Sequence, residues 1–137
     1  MKNYCFLISG SLILVATGLD GHCNTGYCNR LDKCQVIDVS SSTSCGNLPS
    51  YPYSMSQSAG GVINNTPIIC GGYRPSASPE EQDSCYRFNE NFNSWNFHCT
   101  MKSRRYQHAA TVIQDTLFIS GGSFDGDDTL WVFRALK

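Results

Sequence analysis

The residues of this chain best able to do chemistry are its eight cysteines and three histidines. His22 is followed by Cys23, Cys28 and Cys34, and zinc binds this combination of thiolate and imidazole in many proteins. The cysteine spacings, however, are not those of the tight CxxC pairs of structural zinc sites, and only one histidine is near. We therefore expect disulfide bonds in this stretch and no metal site.

The histidines do not form a catalytic set. His22 lies in a predicted loop, His98 in a predicted fourth strand and His108 at the start of a predicted first strand, and no Cys/His or Ser/His/Asp signature is present. The acidic run at 125–128 lacks the rest of an EF-hand calcium loop and is typical of a turn. The sequence thus predicts a protein that is not an enzyme and uses no cofactor.

Charge excludes two classes of partner. The chain carries 10 basic and 11 acidic residues, a net charge of −1, so it has no basic field to hold nucleic acid or an anionic membrane surface. The apolar stretch near the N-terminus is too short, and too interrupted by Ser9, Gly10 and Ser11, to span a bilayer. We expect a protein partner, no nucleic acid and no membrane span.

Residues 1–18 fit two interpretations. Lys2 precedes an apolar run, and small residues precede a cleavage point after Gly18, as in a secretory signal peptide. Alternatively, Gly10 and Ser11 divide the segment into two short apolar runs that would pair as the first strands of an incomplete unit. The local sequence leaves both interpretations open.

Two further features favour an extracellular location over the cytoplasmic alternative. Eight cysteines in 137 residues is a density more common in oxidising compartments. Asn64, Asn65 and Thr66 form an N-glycosylation sequon on a predicted turn, where an acceptor asparagine must lie to be reached. We predict a secreted glycoprotein with Asn64 as its glycosylation site.

A repeat of about fifty residues determines the architecture. Residues 62–72 (VINNTPIICGG) align without gaps with 112–122 (VIQDTLFISGG), and each copy is typical of a β-hairpin whose second strand ends on paired glycines. Period-2 strands opened by an aspartate follow at 32–37, 83–88 and 128–133, and residues 12–18 fit a strand of an earlier copy. With a fourth strand around 94–99 in the middle unit, each unit has the size of one propeller blade.

These residues resemble the kelch repeat family, in particular secreted invertebrate kelch-like proteins. The resemblance implies that the paired glycines end the second strand, that an aromatic residue and a tryptophan pack between blades, and that the arginine lies near the start of a blade. In the first unit Thr17 and Gly18 replace the glycine pair. The residues that carry the resemblance are Gly71, Gly72, Tyr86, Trp95, Arg105, His108, Gly121 and Gly122.

The resemblance implies an all-β fold, a partial kelch-type β-propeller of about two to three four-stranded antiparallel blades. We expect a degenerate unit with a cysteine-rich loop at 12–56, a complete unit at 57–103 and a partial unit at 104–137. Closed propellers typically have four to eight blades, so these units cannot close a ring. We therefore expect a piece of a longer propeller protein, or self-association that completes the ring.

The cysteines of the middle unit allow one specific pairing. Cys70 ends the predicted second strand and Cys85 begins the third, so antiparallel pairing would place them opposite each other; a disulfide is favoured over two buried thiols. Cys45 and Cys99 lie at nearly corresponding points of successive units. The remaining disulfide candidates, whose connectivity the sequence does not determine, are Cys23, Cys28, Cys34, Cys45 and Cys99.

Recognition is expected in the loops between second and third strands, which differ most between units. The middle loop supplies Tyr73, Arg74, Glu80 and Glu81 as candidate binding residues, although a plain solvated loop would look similar. The leading hypothesis is a non-enzymatic kelch-repeat module that binds a protein through these loops. The alternatives are a secreted disulfide-rich structural glycoprotein and a fragment of a copper oxidase resembling galactose oxidase.

Overall fold

The computed structural model describes residues 2–9, 12–20, 29–41, 43–89, 91 and 93–123. Every regular element in those ranges is a β-strand, which confirms the predicted all-β class. No helix able to cross a membrane occurs in the described ranges. The strands are β1 (Lys2–Ser9), β2 (Leu12–Asp20), β3 (Asn29–Asp38), β4 (Thr43–Leu48), β5 (Ala59–Ile63), β6 (Thr66–Tyr73), β7 (Glu81–Phe88), β8 (Trp95–Thr100), β9 (Ala109–Ile113) and β10 (Thr116–Ser120).

Within the described residues the strands form three antiparallel sheets, and strands that are neighbours in the chain are also neighbours in space. The first sheet has the order β1-β2-β3-β4, the second β5-β6-β7-β8, and the third, within the described residues, β9-β10. The sequence predicted a fourth strand in the middle unit, and the structure adds β4 to the first sheet as well. Gly46 and Asn47 within β4 disfavour strands, which is why its pattern was missed. The strand predicted at 128–133 lies outside the described residues.

Tight turns close the two hairpins that the repeat predicts. Asn64 and Asn65 connect β5 to β6 with φ of 48° and 60°, and Gln114 and Asp115 connect β9 to β10 with φ of 48° and 57°. A two-residue turn with positive φ at both positions matches the right-handed twist of the flanking strands. Asparagine and aspartate tolerate this conformation better than most residues and occupy every one of these turn positions except Gln114, so the local sequence favours the register of both hairpins.

Backbone hydrogen bonds recur at a spacing of about fifty residues. They attach the linker between the first and second sheets (49–58) and the linker between the second and third (101–108) in the same way. The matched pairs are Tyr51–Asp32 and Met101–Asp83, Gly18–Met55 and Gly72–Arg105, and Ser56–Tyr73 and Tyr106–Ser123. The sequence repeat is therefore also a repeat of backbone geometry.

Two apolar cores among the described residues hold these sheets together, and β6 contributes to both. Ile69 faces the core shared with the first sheet, while Ile68 and Cys70 face the core shared with the third. A strand buried on both faces reads as a continuous apolar run, as residues 67–70 do. Full burial of a side chain such as Ile69 or Phe88 stabilises the fold by about 1.5–3 kcal/mol.

Candidate functional site

The loop between β6 and β7 is held in a defined conformation. The Arg74 amide donates to the Glu80 carbonyl at 2.8 Å, and the Ala77 amide donates to the Arg74 carbonyl at 3.0 Å. The Tyr73 hydroxyl donates to the Glu80 carboxylate, and this hydrogen bond raises the pKa of Tyr73, because ionisation would remove the donor. Glu81 opens β7 opposite Tyr73. The loop thus has a defined conformation, held by its own backbone and side-chain hydrogen bonds.

Two arginines stack on tyrosine rings beside this loop. The Arg74 guanidinium carbon lies 3.9 Å from the centroid of Tyr53, and that of Arg30, on β3, lies 5.0 Å from the centroid of Tyr73. The Nε of Arg30 also donates to the Ser56 hydroxyl at 3.2 Å. Cation–π stacking of this kind contributes about 0.5–1 kcal/mol at exposed sites and fixes the plane of the guanidinium.

Neither guanidinium forms an ion pair with a carboxylate among the described residues. The carboxylate of Glu80, in the same loop, accepts a hydrogen bond from the Tyr73 hydroxyl. Arg30 and Arg74 are both half-buried, so part of each side chain remains exposed to solvent. Guanidinium N–H groups that make no hydrogen bond to the described residues can donate to an acceptor from another molecule.

Two further tyrosines extend the site, one beside Tyr73 and one beside Tyr53. The ring of Tyr106, from the second linker, lies 5.4 Å from that of Tyr73. The hydroxyl of Tyr86, on β7, donates to that of Tyr53 at 3.1 Å, and burial together with this hydrogen bond raises the pKa of Tyr86 to about 12. We call Arg30, Tyr53, Tyr73, Arg74, Tyr86 and Tyr106 the tyrosine–arginine surface.

Sequence reasoning found part of this surface and missed the rest. Tyr73 and Arg74 were predicted from the variable loop, whereas Arg30, Tyr53 and Tyr106 come from a neighbouring sheet and from the two linkers. The topology alone would have indicated Arg30, because loops that join the second to the third strand of successive units lie at the same end of their sheets. Arg30, near the start of a third strand, follows from that rule.

The predicted aromatic pair of the middle unit packs in the core between the first and second sheets. The Trp95 ring lies 4.1 Å from that of Phe88 and 5.0 Å from that of Tyr51, and Tyr86 lies 5.4 Å from Tyr51. Trp95 is buried, while Tyr86 is half-buried. The tryptophan is therefore a packing residue, and Tyr86 connects the core to the tyrosine–arginine surface.

Arg105 and His108 occupy the junction of the second and third sheets. Arg105 is 5% exposed; its carbonyl accepts from the Gly72 amide at 2.8 Å, and its Nη1 donates to the Gly121 carbonyl at 2.6 Å. His108 is 6% exposed, and its Nε2 lies 3.1 Å from the Cys70 carbonyl. Arg105 thus ties both glycine pairs to the second linker, through its carbonyl at Gly72 and its guanidinium at Gly121, and His108 ties the Cys70 carbonyl to the same linker.

The protein should become less stable as the pH decreases, because of His108. Burial, with a smaller contribution from the Arg105 charge, lowers the pKa of His108 to about 4, against about 6.5 in an unfolded chain. Between these values only the unfolded state binds the proton, so the free energy of unfolding should decrease as the pH falls from about 6.5 to about 4, by up to about 3 kcal/mol. Urea unfolding at a series of pH values measures this slope.

The control for this prediction is His98. Burial and the Arg87 charge also lower the pKa of His98, but its side chain is only half-buried. His98→Gln should therefore keep most of the slope, whereas His108→Gln, whose amide can still donate to the Cys70 carbonyl, should lose most of it. An unchanged slope in His108→Gln would contradict the assignment.

The cysteines match the prediction at one pair and depart from it at two positions. Cys70 and Cys85 form a disulfide, as predicted. Cys34 and Cys99, predicted as disulfide candidates, carry free thiols. Cys34 lies beside Trp95 in the core between the first and second sheets, where burial raises the pKa of its thiol to about 11. Cys99 lies opposite Cys85, whose sulfur is already bonded to Cys70. Cys23 and Cys28 lie outside the described residues, as does the side chain of Cys45.

The remaining predicted positions are placed as follows. Asn64 is exposed at the tip of the β5–β6 turn, so its glycosylation stays a prediction at an accessible position. Within the described ranges no group of three or more histidine, cysteine or acidic side chains is arranged to hold a metal ion. The acidic run at 125–128 and His22 lie outside those ranges.

These observations define the class of the protein: it is an all-β protein of antiparallel sheets that carries the tyrosine–arginine surface. No family model and no curated protein matches the chain. Among solved structures, 133 chains match. The structure of YjhT is similar over 93% of this chain, with a TM-score of 0.70 and 15% sequence identity, and this chain spans 39% of the YjhT chain. At that identity the likeness shows a shared fold and carries no activity with it.

Proposed function

We propose that the chain forms kelch-type blades of a partial β-propeller and binds another protein through the tyrosine–arginine surface, without catalysing a reaction. The fifty-residue period of sequence and of backbone hydrogen bonds supports the blade assignment. The surface supports the binding role, because arginine and tyrosine are enriched among the residues that dominate protein–protein affinity. Variable loops on a regular scaffold are the usual place for such contacts.

The observation that carries this proposal is the pair of oriented guanidiniums, neither of which pairs with a carboxylate of the described residues. Arg30 is fixed by Tyr73 and Ser56, and Arg74 by Tyr53, so little side-chain entropy is lost when they bind an acceptor. A carboxylate is the acceptor that a guanidinium fork fits best on a protein partner. The partner therefore presents acidic side chains at the contact, and it is either another protein or a second copy of this chain.

Capture of partners by matched arginine variants tests this function. Immobilised wild-type protein and Arg74→Gln are incubated with medium and extract of the source cells, and bound proteins are quantified by mass spectrometry. Loss of one dominant arginine contact should weaken the specific partners by about 30-fold, equivalent to about 2 kcal/mol. Light scattering of the purified protein detects the case in which the partner is a second copy.

Arg87→Gln is the control, because Arg87 is exposed on β7 and lies outside the tyrosine–arginine surface, and the substitution removes the same charge. It should retain the partners that Arg74→Gln loses. If both variants lose the same partners, net charge alone explains the effect. If both retain them, Arg74 does not contribute to binding.

A second candidate function is a secreted, disulfide-rich structural glycoprotein. The Cys70–Cys85 disulfide and the exposed Asn64 favour it. Intact-mass measurement of protein secreted from eukaryotic cells separates the two: a glycan at Asn64 and no arginine-dependent partner would favour the structural role.

A further inference from the structure

Three cysteines form one row across the second sheet. Cys70 on β6 lies directly opposite Cys85 on β7, and Cys85 lies directly opposite Cys99 on β8. Directly opposed residues of antiparallel strands point to the same face, with Cβ atoms about 4.5–5.5 Å apart. All three side chains accordingly belong to the core between the second and third sheets.

The middle cysteine of the row has a potential disulfide partner on each side. In this structure Cys85 is bonded to Cys70, with a Cα–Cα distance of 4.0 Å, and Cys99 is a free thiol. The register of β7 and β8 shifts between the Cys85 and Tyr86 pairs, which leaves His98 as an extra residue beside Cys99. Such a bulge bends the strand and increases its twist, and here it lies directly beside the Cys85–Cys99 pair.

Access from solvent differs along the row. Cys70 and Cys85 are 0% exposed, whereas Cys99 is partly exposed on a strand that, within the described residues, pairs only with β7. A reagent from solution therefore reaches this row at Cys99 first, and it does not reach the buried disulfide directly.

We propose that Cys70, Cys85 and Cys99 form a thiol–disulfide exchange site, in which Cys99 links the buried disulfide to small thiols in solution. In the internal step the Cys99 thiolate attacks Sγ of Cys85. The Cys85–Cys99 bond forms, the Cys70–Cys85 bond breaks, and Cys70 leaves as a thiolate that takes up the proton Cys99 has lost. The step requires no oxidant, because one disulfide and one thiol are present before and after it.

The external step uses a small thiol such as glutathione. Its thiolate attacks Sγ of Cys99 in the Cys85–Cys99 form, giving a mixed disulfide on Cys99 and releasing Cys85 as a thiolate. A second thiol then releases the oxidised small disulfide and restores the Cys99 thiol, so two electrons pass to the protein. Burial raises the pKa of the Cys99 thiol, which slows both steps compared with an exposed cysteine.

The two bonded forms differ in the strands that they connect. The Cys70–Cys85 bond joins β6 to β7 in the interior of the sheet, whereas the Cys85–Cys99 bond ties the outer strand β8 to β7. Exchange therefore moves the covalent constraint toward the edge strand, and it releases a thiol next to the carbonyl that His108 contacts.

Disulfide mapping of the full chain tests the proposal. Wild-type protein is equilibrated in a glutathione redox buffer and quenched with acid, its free thiols are alkylated, and its peptides are identified by mass spectrometry. We expect both the Cys70–Cys85 and the Cys85–Cys99 linked peptides in the wild type. Only the first should appear in Cys99→Ser, and only the second in Cys70→Ser.

The rate of reduction provides a second readout that does not depend on the folding of Cys70→Ser. Glutathione should reduce the Cys70–Cys85 disulfide of folded wild-type protein at least about tenfold faster than that of Cys99→Ser, because the variant lacks the accessible thiol. Cys34→Ser, which removes a buried free thiol from the other core, should behave like the wild type. Absence of the Cys85–Cys99 peptide from the wild type, or equal reduction rates for wild type and Cys99→Ser, would overturn the proposal.

Discussion

Replacing Gly71 with alanine should lower the free energy of unfolding by about 3 kcal/mol. Gly71 has φ of 60°, and a Cβ there would lie 2.7 Å from the Arg105 carbonyl oxygen and 2.8 Å from Cε1 of His108. The left-handed conformation costs an alanine about 1 kcal/mol, and overpacking of the junction adds roughly 1–3 kcal/mol. Urea unfolding monitored by tryptophan fluorescence measures the loss.

Gly121 is the matched control, because it occupies the position fifty residues later with a nearly identical φ of 67°. A Cβ on Gly121 meets no atom of the described residues within 4 Å. Gly121→Ala should therefore cost only the conformational part, about 1 kcal/mol. Equal losses in the two variants would show that the junction with Arg105 and His108 is not packed as described.

Removing Cys85 should cost about 3 kcal/mol of stability. The Cys70–Cys85 bond joins residues with a sequence separation of 15. A disulfide that closes a loop of this length lowers the entropy of the unfolded chain and so stabilises the folded state by about 3 kcal/mol. Cys85 is the informative position because it belongs to both bonds of the cysteine row, so Cys85→Ala removes each of them. The midpoint of urea unfolding under non-reducing conditions measures the effect.

The control for Cys85→Ala is the wild-type protein unfolded in the presence of a strong reductant. The reduced wild type should show the same loss of stability, whereas Cys34→Ala, in the other core, should keep its dependence on the reductant. A Cys85→Ala variant as stable as the oxidised wild type would contradict a stabilising disulfide at this position.

The sequence predicts the features of this fold that depend on local geometry. The turns at 64–65 and 114–115 follow from a pair of polar residues between two apolar runs. The Cys70–Cys85 bond follows from the antiparallel pairing of the strands that carry these residues. Each of these predictions needs only one hairpin and the rules of strand pairing.

The features that the sequence did not predict depend on contacts between sheets or on competition between equivalent partners. Arg30 meets Tyr73 only because the first and second sheets pack side by side, and no local pattern contains that arrangement. Cys99 was expected in a disulfide, but two cysteines lie opposite Cys85 and its sulfur bonds only one at a time. Cys34 remains a thiol because it fills a core position beside Trp95, where a small apolar side chain packs well.

The central functional claim is that the oriented guanidiniums of Arg30 and Arg74 bind carboxylates of a partner. The most direct measurement is an NMR titration of ¹⁵N-labelled protein with a tetraglutamate peptide, with a tetraglutamine peptide of the same length as the uncharged control. We expect tetraglutamate alone to shift the Nε–H resonances of both arginines, with saturation in the millimolar range and loss of binding in the Arg30→Gln/Arg74→Gln variant. Equal shifts with both peptides, or tetraglutamate binding that survives the double substitution, would contradict the claim.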